Sequence, residues 1–130
     1  MKIVPGRVPN KTTFENVLVP KGNYQAMIED IRDWGDGAFW DFRIILGDYE
    51  NERVSSFTLL PTEDMTEEAL VKCFMLARFV KALSKEGEEI DEIEWEVFKE
   101  VAIGQLVVVE VAVEFYKEKK VSSVKNFTRL

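Results

Sequence analysis

Aromatic and basic side chains occur close together in three separate parts of the chain. They are Arg32, Trp34, Phe39 and Arg43, then Tyr49, Arg53 and Phe57, and finally Tyr116, Lys117, Lys119, Lys120 and Lys125. An exposed ring can stack on another flat ring, and a neighbouring cation can neutralise a phosphate. This chemistry suits a ligand that carries both flat rings and negative charges, of which a single-stranded nucleic acid is the commonest example.

The acidic charge of the chain is concentrated in one segment. The formal net charge is -7, from 24 acidic and 17 basic residues. Residues 62–100 hold 12 acidic and 5 basic side chains, and the rest of the chain holds 12 of each. An acidic protein is ordinarily a poor candidate for binding nucleic acid. Here the excess lies in a predicted helical segment, so the strand-rich parts on either side remain candidates.

The composition disfavours several classes of enzyme. The chain has no histidine, which removes the commonest general base and metal ligand. It contains neither a phosphate-binding glycine loop nor a dinucleotide-binding fingerprint. Asp41, Asp48 and Glu110 could in principle meet at a metal, but nothing in their spacing requires it. We therefore expect no catalytic residue, no metal ion and no cofactor.

No segment predicts a membrane or secreted protein. The apolar runs, such as Leu106–Val109, are far too short to span a bilayer. The chain does not begin with the charged and apolar pattern of a secretion signal. The single Cys73 lies within a helical apolar pattern, so we expect a buried thiol. These features favour a cytoplasmic location.

The elements that must position the rings and cations follow from periodicity. Alternation of apolar and polar residues predicts strands, and glycine-rich turns separate them. Spacings of three and four predict helices, with Thr66 as an N-cap, and Pro61 ends the third strand. The first predicted strand begins at Gly22 and ends before a turn over 33–37. The other four predicted strands cover 38–46, 53–60, 105–116 and 121–127, and the two predicted helices cover 66–85 and 90–101.

The same patterns predict which side chains are buried. Trp40 and Phe42 are expected in the core, and Phe57 fits the core better than the surface. Trp34, in the first turn, has no obvious core to enter, so we expect it to be exposed. The remaining predicted apolar faces lie on the two helices and the fourth strand. They are Leu70, Phe74, Ala77, Val80 and Lys81 on the first helix, widened by Cys73, Leu76 and Leu83, then Ile93, Val97 and Val101 on the second, with Trp95 and Phe98 near them, and Val107, Val109, Val111, Val113 and Phe115 on the fourth strand.

The predicted order is β-β-β-α-α-β-β, which is mainly β with helices. It is the strand plan of the OB-fold, a five-stranded Greek-key barrel, with a helical insertion at about 62–103 between strands 3 and 4. The alternative is a generic α+β sheet with helices on one face. Residues 1–18 are expected to form an N-terminal arm packed on a single domain that covers 19–130.

Short motifs in the predicted strands resemble a known family. They are Val19–Ala26, with the pattern Val-Pro-x-Gly-x-Tyr-x-Ala, then Trp40–Ile45 with Gly47–Tyr49 and Arg53-Val54, and finally Val124–Phe127. Over residues 19–60 and 100–130 the chain is similar to a phage-type family found beside replication and recombination genes. The resemblance implies a single-stranded DNA-binding protein with an OB-fold, located in the host cytoplasm if a phage encodes it.

The leading hypothesis is therefore a single-stranded DNA-binding protein of phage-type replication or recombination. It would act by base stacking and phosphate neutralisation, without strong sequence preference. The acidic helices would keep DNA away from the wrong face or recruit a replication or recombination protein, and a homodimer would gain avidity. The alternative is a non-catalytic protein–protein interaction module, in which Leu106 and Val108 form an exposed apolar patch.

Overall fold

The computed structural model describes residues 18–85 and 92–130. The predicted arm over 1–18 therefore lies outside the described residues, except for its last residue. The structure is mainly β, with a five-stranded mixed sheet and few helices. The elements are β1 (Gly22–Trp34), β2 (Gly37–Ile44), β3 (Arg53–Leu59), α1 (Glu67–Val71), α2 (Phe74–Leu83), α3 (Trp95–Ala102), β4 (Leu106–Tyr116) and β5 (Lys119–Arg129).

The five strands close into a barrel in the order β1-β2-β3-β5-β4. The first part of β1 pairs with β4 and its later part with β2, so one long strand bridges the two halves. All pairs are antiparallel except β3 with β5, which run parallel with Ser55 beside Ser123. The expectation of a mainly β, barrel-like chain is confirmed.

An irregularity in β1 changes which residues face the barrel interior. The register with β2 shifts between Ile28 and Asp30, which leaves Glu29 as an extra residue. Ala26 and Ile28 are buried before the shift, and Ile31 is buried after it. Such a bulge moves the buried set from even-numbered to odd-numbered positions. As a result β1 continues to Trp34 with its even-numbered side chains outside, where the sequence predicted a turn from residue 33.

Aromatic rings form the centre of the core. Trp40 and Phe42 are fully buried, and Phe79 of α2 and Phe127 of β5 pack against them and against each other. The ring centroids are 5.0 Å apart for Trp40 and Phe79 and 4.8 Å apart for Phe79 and Phe127. The buried indole N–H of Trp40 donates to the hydroxyl of Thr58 at 3.0 Å. This bond ties β2 to β3 and satisfies a polar group that has no access to water.

The predicted helix over 66–85 is two helices. Thr66 caps α1 as predicted, since its hydroxyl accepts from the backbone N–H of Ala69 at 3.2 Å. A turn at Lys72 and Cys73 then separates α1 from α2. This turn allows α2 to rotate so that Leu76 and Phe79 enter the core.

The predicted apolar face of this segment is wrong in part. Leu70, Phe74 and Ala77 are exposed, and Phe79, which the stripe omitted, is fully buried. The physical reason is that α2 is apolar on two adjacent faces, and only the face that contains Leu76 and Phe79 packs against β3 and β5. The other face remains open.

The second predicted helix is shorter than expected. It begins at Trp95 and ends at Ala102, so residues 92–94 of the predicted range precede it, and residues 90 and 91 lie outside the described residues. Phe98 packs on the core and contacts Trp40, whereas Val97 and Val101 of the predicted face are exposed. The helix therefore presents Phe98 and Ala102 to the barrel.

Replacing Thr58 with valine tests the bond that ties β2 to β3. The variant keeps the shape of the side chain but leaves the buried indole N–H of Trp40 unpaired. We expect the free energy of unfolding, measured by urea denaturation, to fall by about 1–3 kcal/mol. Thr128→Val, on the exposed surface of β5, is the control and should change it by less than about 0.5 kcal/mol. Equal stability of the two variants would contradict the assignment.

Candidate functional site

Three aromatic rings form a row across the outer surface of β1, β2 and β3. The ring centroids of Trp34 and Phe39 are 6.5 Å apart, and those of Phe39 and Phe57 are 4.9 Å apart. Phe39 and Phe57 are direct cross-strand neighbours. Trp34 is 68% exposed and Phe57 is 41% exposed. We call Trp34, Phe39 and Phe57 the aromatic platform.

The barrel core dictates this outward placement. Because Trp40 and Phe42 are buried, strand alternation directs Phe39, Asp41 and Arg43 to the outer surface. The bulge at Glu29 does the same for Arg32 and Trp34 on β1.

Phe57 is exposed because its place on β3 alternates with buried neighbours. The expectation that Phe57 belongs to the core is wrong, since Ser56 and Thr58 on either side face inward. Its ring lies instead across the start of β2, over Gly37. A Cβ added at Gly37 would lie 2.3 Å from the Phe57 ring and 2.5 Å from the backbone oxygen of Thr58. Only glycine allows the ring this position.

The arginines beside the platform are paired with carboxylates. Arg32 lies 3.0 Å from Asp41 and 3.8 Å from Asp30, and its guanidinium is also 5.9 Å from the centre of the Phe39 ring. Asp41 in turn accepts a hydrogen bond from the hydroxyl of Ser55 at 2.7 Å. Arg32 is thus held beside the platform rather than free in solvent.

One carboxylate, that of Glu29, forms ion pairs with the other two arginines of this surface. Glu29, the bulge residue, accepts two hydrogen bonds from Arg53 and lies 4.0 Å from Arg43. The hydrogen bond from Arg53 lowers the pKa of Glu29, and Glu29 raises the pKa of Arg53. The Nε of Arg43 is buried and has no hydrogen-bond partner in the described part of the chain. Of the three arginines, Arg43 therefore has the weakest pairing with a carboxylate.

These pairs correct the expected charge of the surface. Three arginines face three carboxylates, so the formal charges around the platform balance. From the sequence we expected these arginines to neutralise phosphates, because cross-strand pairing through a bulge is not visible in a linear sequence. The platform is an aromatic surface with a balanced charged border.

Unpaired cations lie instead at the turn between β4 and β5. Within residues 18–85 and 92–130, Lys117, Lys119 and Lys120 have no carboxylate within 4 Å. The ammonium of Lys117 is 5.4 Å from the centre of the Tyr116 ring, and that of Lys120 is 6.0 Å from the centre of the Phe115 ring. We call the segment from Phe115 to Lys120 the basic tip.

Phe115 is a candidate ligand-binding residue that the sequence did not reveal. It shares a face with Val107, Val109 and Val111, which are buried, and was therefore expected in the core. The last pair between β1 and β4 is Gly22 with Val111, so β4 continues beyond the barrel. Phe115 is 75% exposed as a result.

The platform and the basic tip lie at opposite ends of one surface. Gly37 pairs with Leu59, so the platform lies at the end of β3. Because β5 runs parallel to β3 with Ser123 beside Ser55, Lys119 lies level with the beginning of β3. At about 3.3 Å per residue, Phe57 and Lys119 are about 20 Å apart along the strand direction.

Two predicted site residues have structural roles instead. The ring of Tyr49 packs edge-on against Tyr24 at 6.0 Å and is half-buried. Lys125 forms an ion pair with Glu114 of the neighbouring strand.

Asp33 fixes α3 against the barrel, on the face of β1 opposite Trp34. Its carboxylate accepts from the indole N–H of Trp95 at 2.8 Å and from Lys99 at 3.0 Å. The hydrogen bond from Trp95 and the nearby Lys99 lower the pKa of Asp33. Consecutive residues of a strand point to opposite faces. The acidic helix is therefore held away from the platform.

Within the described ranges, no three cysteine or carboxylate side chains gather closely enough to hold a metal ion. None of the helices in these ranges has the length and apolar character needed to cross a bilayer. No family model matches the sequence, and no curated protein matches it significantly.

Replacing Asp33 with asparagine tests the link between β1 and α3. Because the pKa of Asp33 is lowered in the folded state, its contribution to stability is present above the unfolded pKa of about 3.9 and is lost as pH falls through the folded value. We expect the Tm to fall by about 2–4 °C near neutral pH. The difference from the parent chain should shrink below about pH 4. A difference in Tm that is the same at all pH values would contradict this account.

Proposed function

We propose that this protein binds single-stranded DNA on the outer surface of β1, β2 and β3, without strong sequence preference. The observation that carries the proposal is the aromatic platform, three adjoining rings held at the surface by strands whose opposite faces are buried. Every base has a flat face, so a row of rings binds bases of any sequence. A soluble protein gains no stability from placing Trp34 in water, which favours a functional reason for its exposure.

We further propose that the barrel is an OB-fold of the phage-type family that the strand motifs resemble. Its support is the strand order with β3 parallel to β5, together with the helices between β3 and β4. In OB-folds the ligand lies on strands 2 and 3, between the loop joining strands 1 and 2 and the loop joining strands 4 and 5. The platform and the basic tip occupy these places.

In this mechanism stacking supplies most of the affinity. The arginines beside the platform already have carboxylate partners, so a phosphate must replace a carboxylate to bind them. Arg43 is the most available for such an exchange, since its 4.0 Å contact with Glu29 is the longest of these arginine–carboxylate pairs. The lysines of the basic tip need no exchange and are available to a passing phosphate backbone. The affinity for DNA should therefore fall less steeply with added salt than the affinity of a surface of unpaired cations would.

Replacing Trp34 with alanine removes the most exposed ring of the platform. A lost base stack costs about 1–3 kcal/mol, so we expect the Kd for fluorescein-labelled oligo-dT, measured by anisotropy, to rise by about 5- to 150-fold. Phe74→Ala is the matched control, because Phe74 is an exposed ring on α2 outside the platform. Equal binding by the parent chain and Trp34→Ala, or an equal loss in both variants, would contradict the proposal.

The double variant Lys119→Gln and Lys120→Gln tests the basic tip. Each lost phosphate contact lowers the slope of log K against log salt by about 0.7, so the slope should fall by about 1.4. The double variant Lys72→Gln and Lys81→Gln, on the helices, has the same change in charge and should keep the parent slope. An unchanged slope in the first variant would remove the basic tip from the proposed binding surface.

A further inference from the structure

A concave apolar surface lies on the helices and has no part in the proposed DNA binding. It is an apolar groove with a volume of about 930 Å³, between α1 and α2 on one side and the residues leading into α3 on the other. Cys73 and Leu76 form its buried floor, and Leu70, Val71 and Phe74 form its exposed side.

The groove exists because α2 is apolar on two faces. The face with Leu76 and Phe79 packs on the barrel, whereas the neighbouring face with Phe74 and Ala77 lines the groove. Val71 is 73% exposed and Phe74 is 55% exposed. Contiguous exposed apolar side chains of this kind mark a surface that another molecule covers.

The border of the groove is acidic. Within 62–85 and 92–100 there are eight acidic and five basic side chains. Glu92 lines the groove, and Glu63, Glu67, Glu68 and Glu94 lie within three residues of lining residues.

These border carboxylates are available to a partner. None of them forms an ion pair with a cation in the described ranges. Lys81 lines the groove, and Lys72, Arg78 and Lys85 are sequence neighbours of lining residues, so carboxylates still outnumber cations along the border. An acidic border repels DNA and attracts a cationic partner.

We propose that this groove binds a basic amphipathic helix of a partner protein. Its apolar side chains, spaced at i, i+3, i+4 and i+7, would enter between Val71, Phe74 and Ile93, and its lysines and arginines would face the border carboxylates. A helix is the fitting form because the barrel is closed and offers no free strand edge beside the groove to pair with an extended peptide.

Selection from a displayed library of random peptides, each of about 16 residues, tests the proposal on the full chain. We expect enrichment of peptides with a net positive charge and the apolar spacing of an amphipathic helix. The selected peptides should bind Phe74→Asp at least about tenfold more weakly by calorimetry, and Val71→Asp, which changes a more exposed position, should agree. Circular dichroism confirms that each variant is folded.

The charge and the location are tested separately. The double variant Glu67→Lys and Glu68→Lys should weaken the same peptides, and Trp34→Ala should bind them as the parent chain does. No enrichment, enrichment of neutral or acidic peptides, or equal binding to Phe74→Asp would overturn the proposal. So would a concentration-dependent dimer that Phe74→Asp abolishes, because the groove would then hold a second copy of this chain. These results are independent of oligo-dT binding.

Discussion

The placement of Phe39, Arg43 and Phe57 in the candidate site depends on the register between β2 and β3. Trp40 fixes this register, because its ring packs against Phe79 and Phe127 in the core while its indole N–H is bonded to Thr58. A slip of one residue would expose Trp40 and bury Phe39, Asp41 and Arg43, which no barrel interior could accommodate. The buried side of β2 thus determines what its outer side presents.

The molecule keeps three kinds of surface apart. The outer sheet carries rings with balanced charges, the β4–β5 turn carries free lysines, and the helices carry the acidic excess with an apolar groove. Asp33 and Trp34 show how this separation is achieved, since adjacent residues of one strand serve different surfaces. Under the proposals made above, DNA and a protein partner would bind at different faces, so that one chain could hold both at once.

Local patterns in the sequence were sufficient to predict the strands, the Thr66 cap and the exposure of Trp34, because each depends on neighbouring residues. Features that depend on distant contacts were not predicted. The bulge at Glu29 adds one residue without a recognisable motif, and it decides which arginines meet which carboxylates. The burial of Phe115 was predicted wrongly because its exposure depends on where β1 begins. The burial of Phe79 was not predicted because two faces of α2 are apolar, and only one of them packs on the core.

The central claim is that bases stack on the platform, and the indole N–H signals of the three tryptophans test it most directly. Trp34 belongs to the platform, Trp40 to the core and Trp95 to the acidic helix. In a nitrogen-15 correlation spectrum titrated with oligo-dT, the account predicts that the Trp34 signal moves while those of Trp40 and Trp95 stay in place. A stationary Trp34 signal, or a Trp95 signal that moves instead, would contradict it.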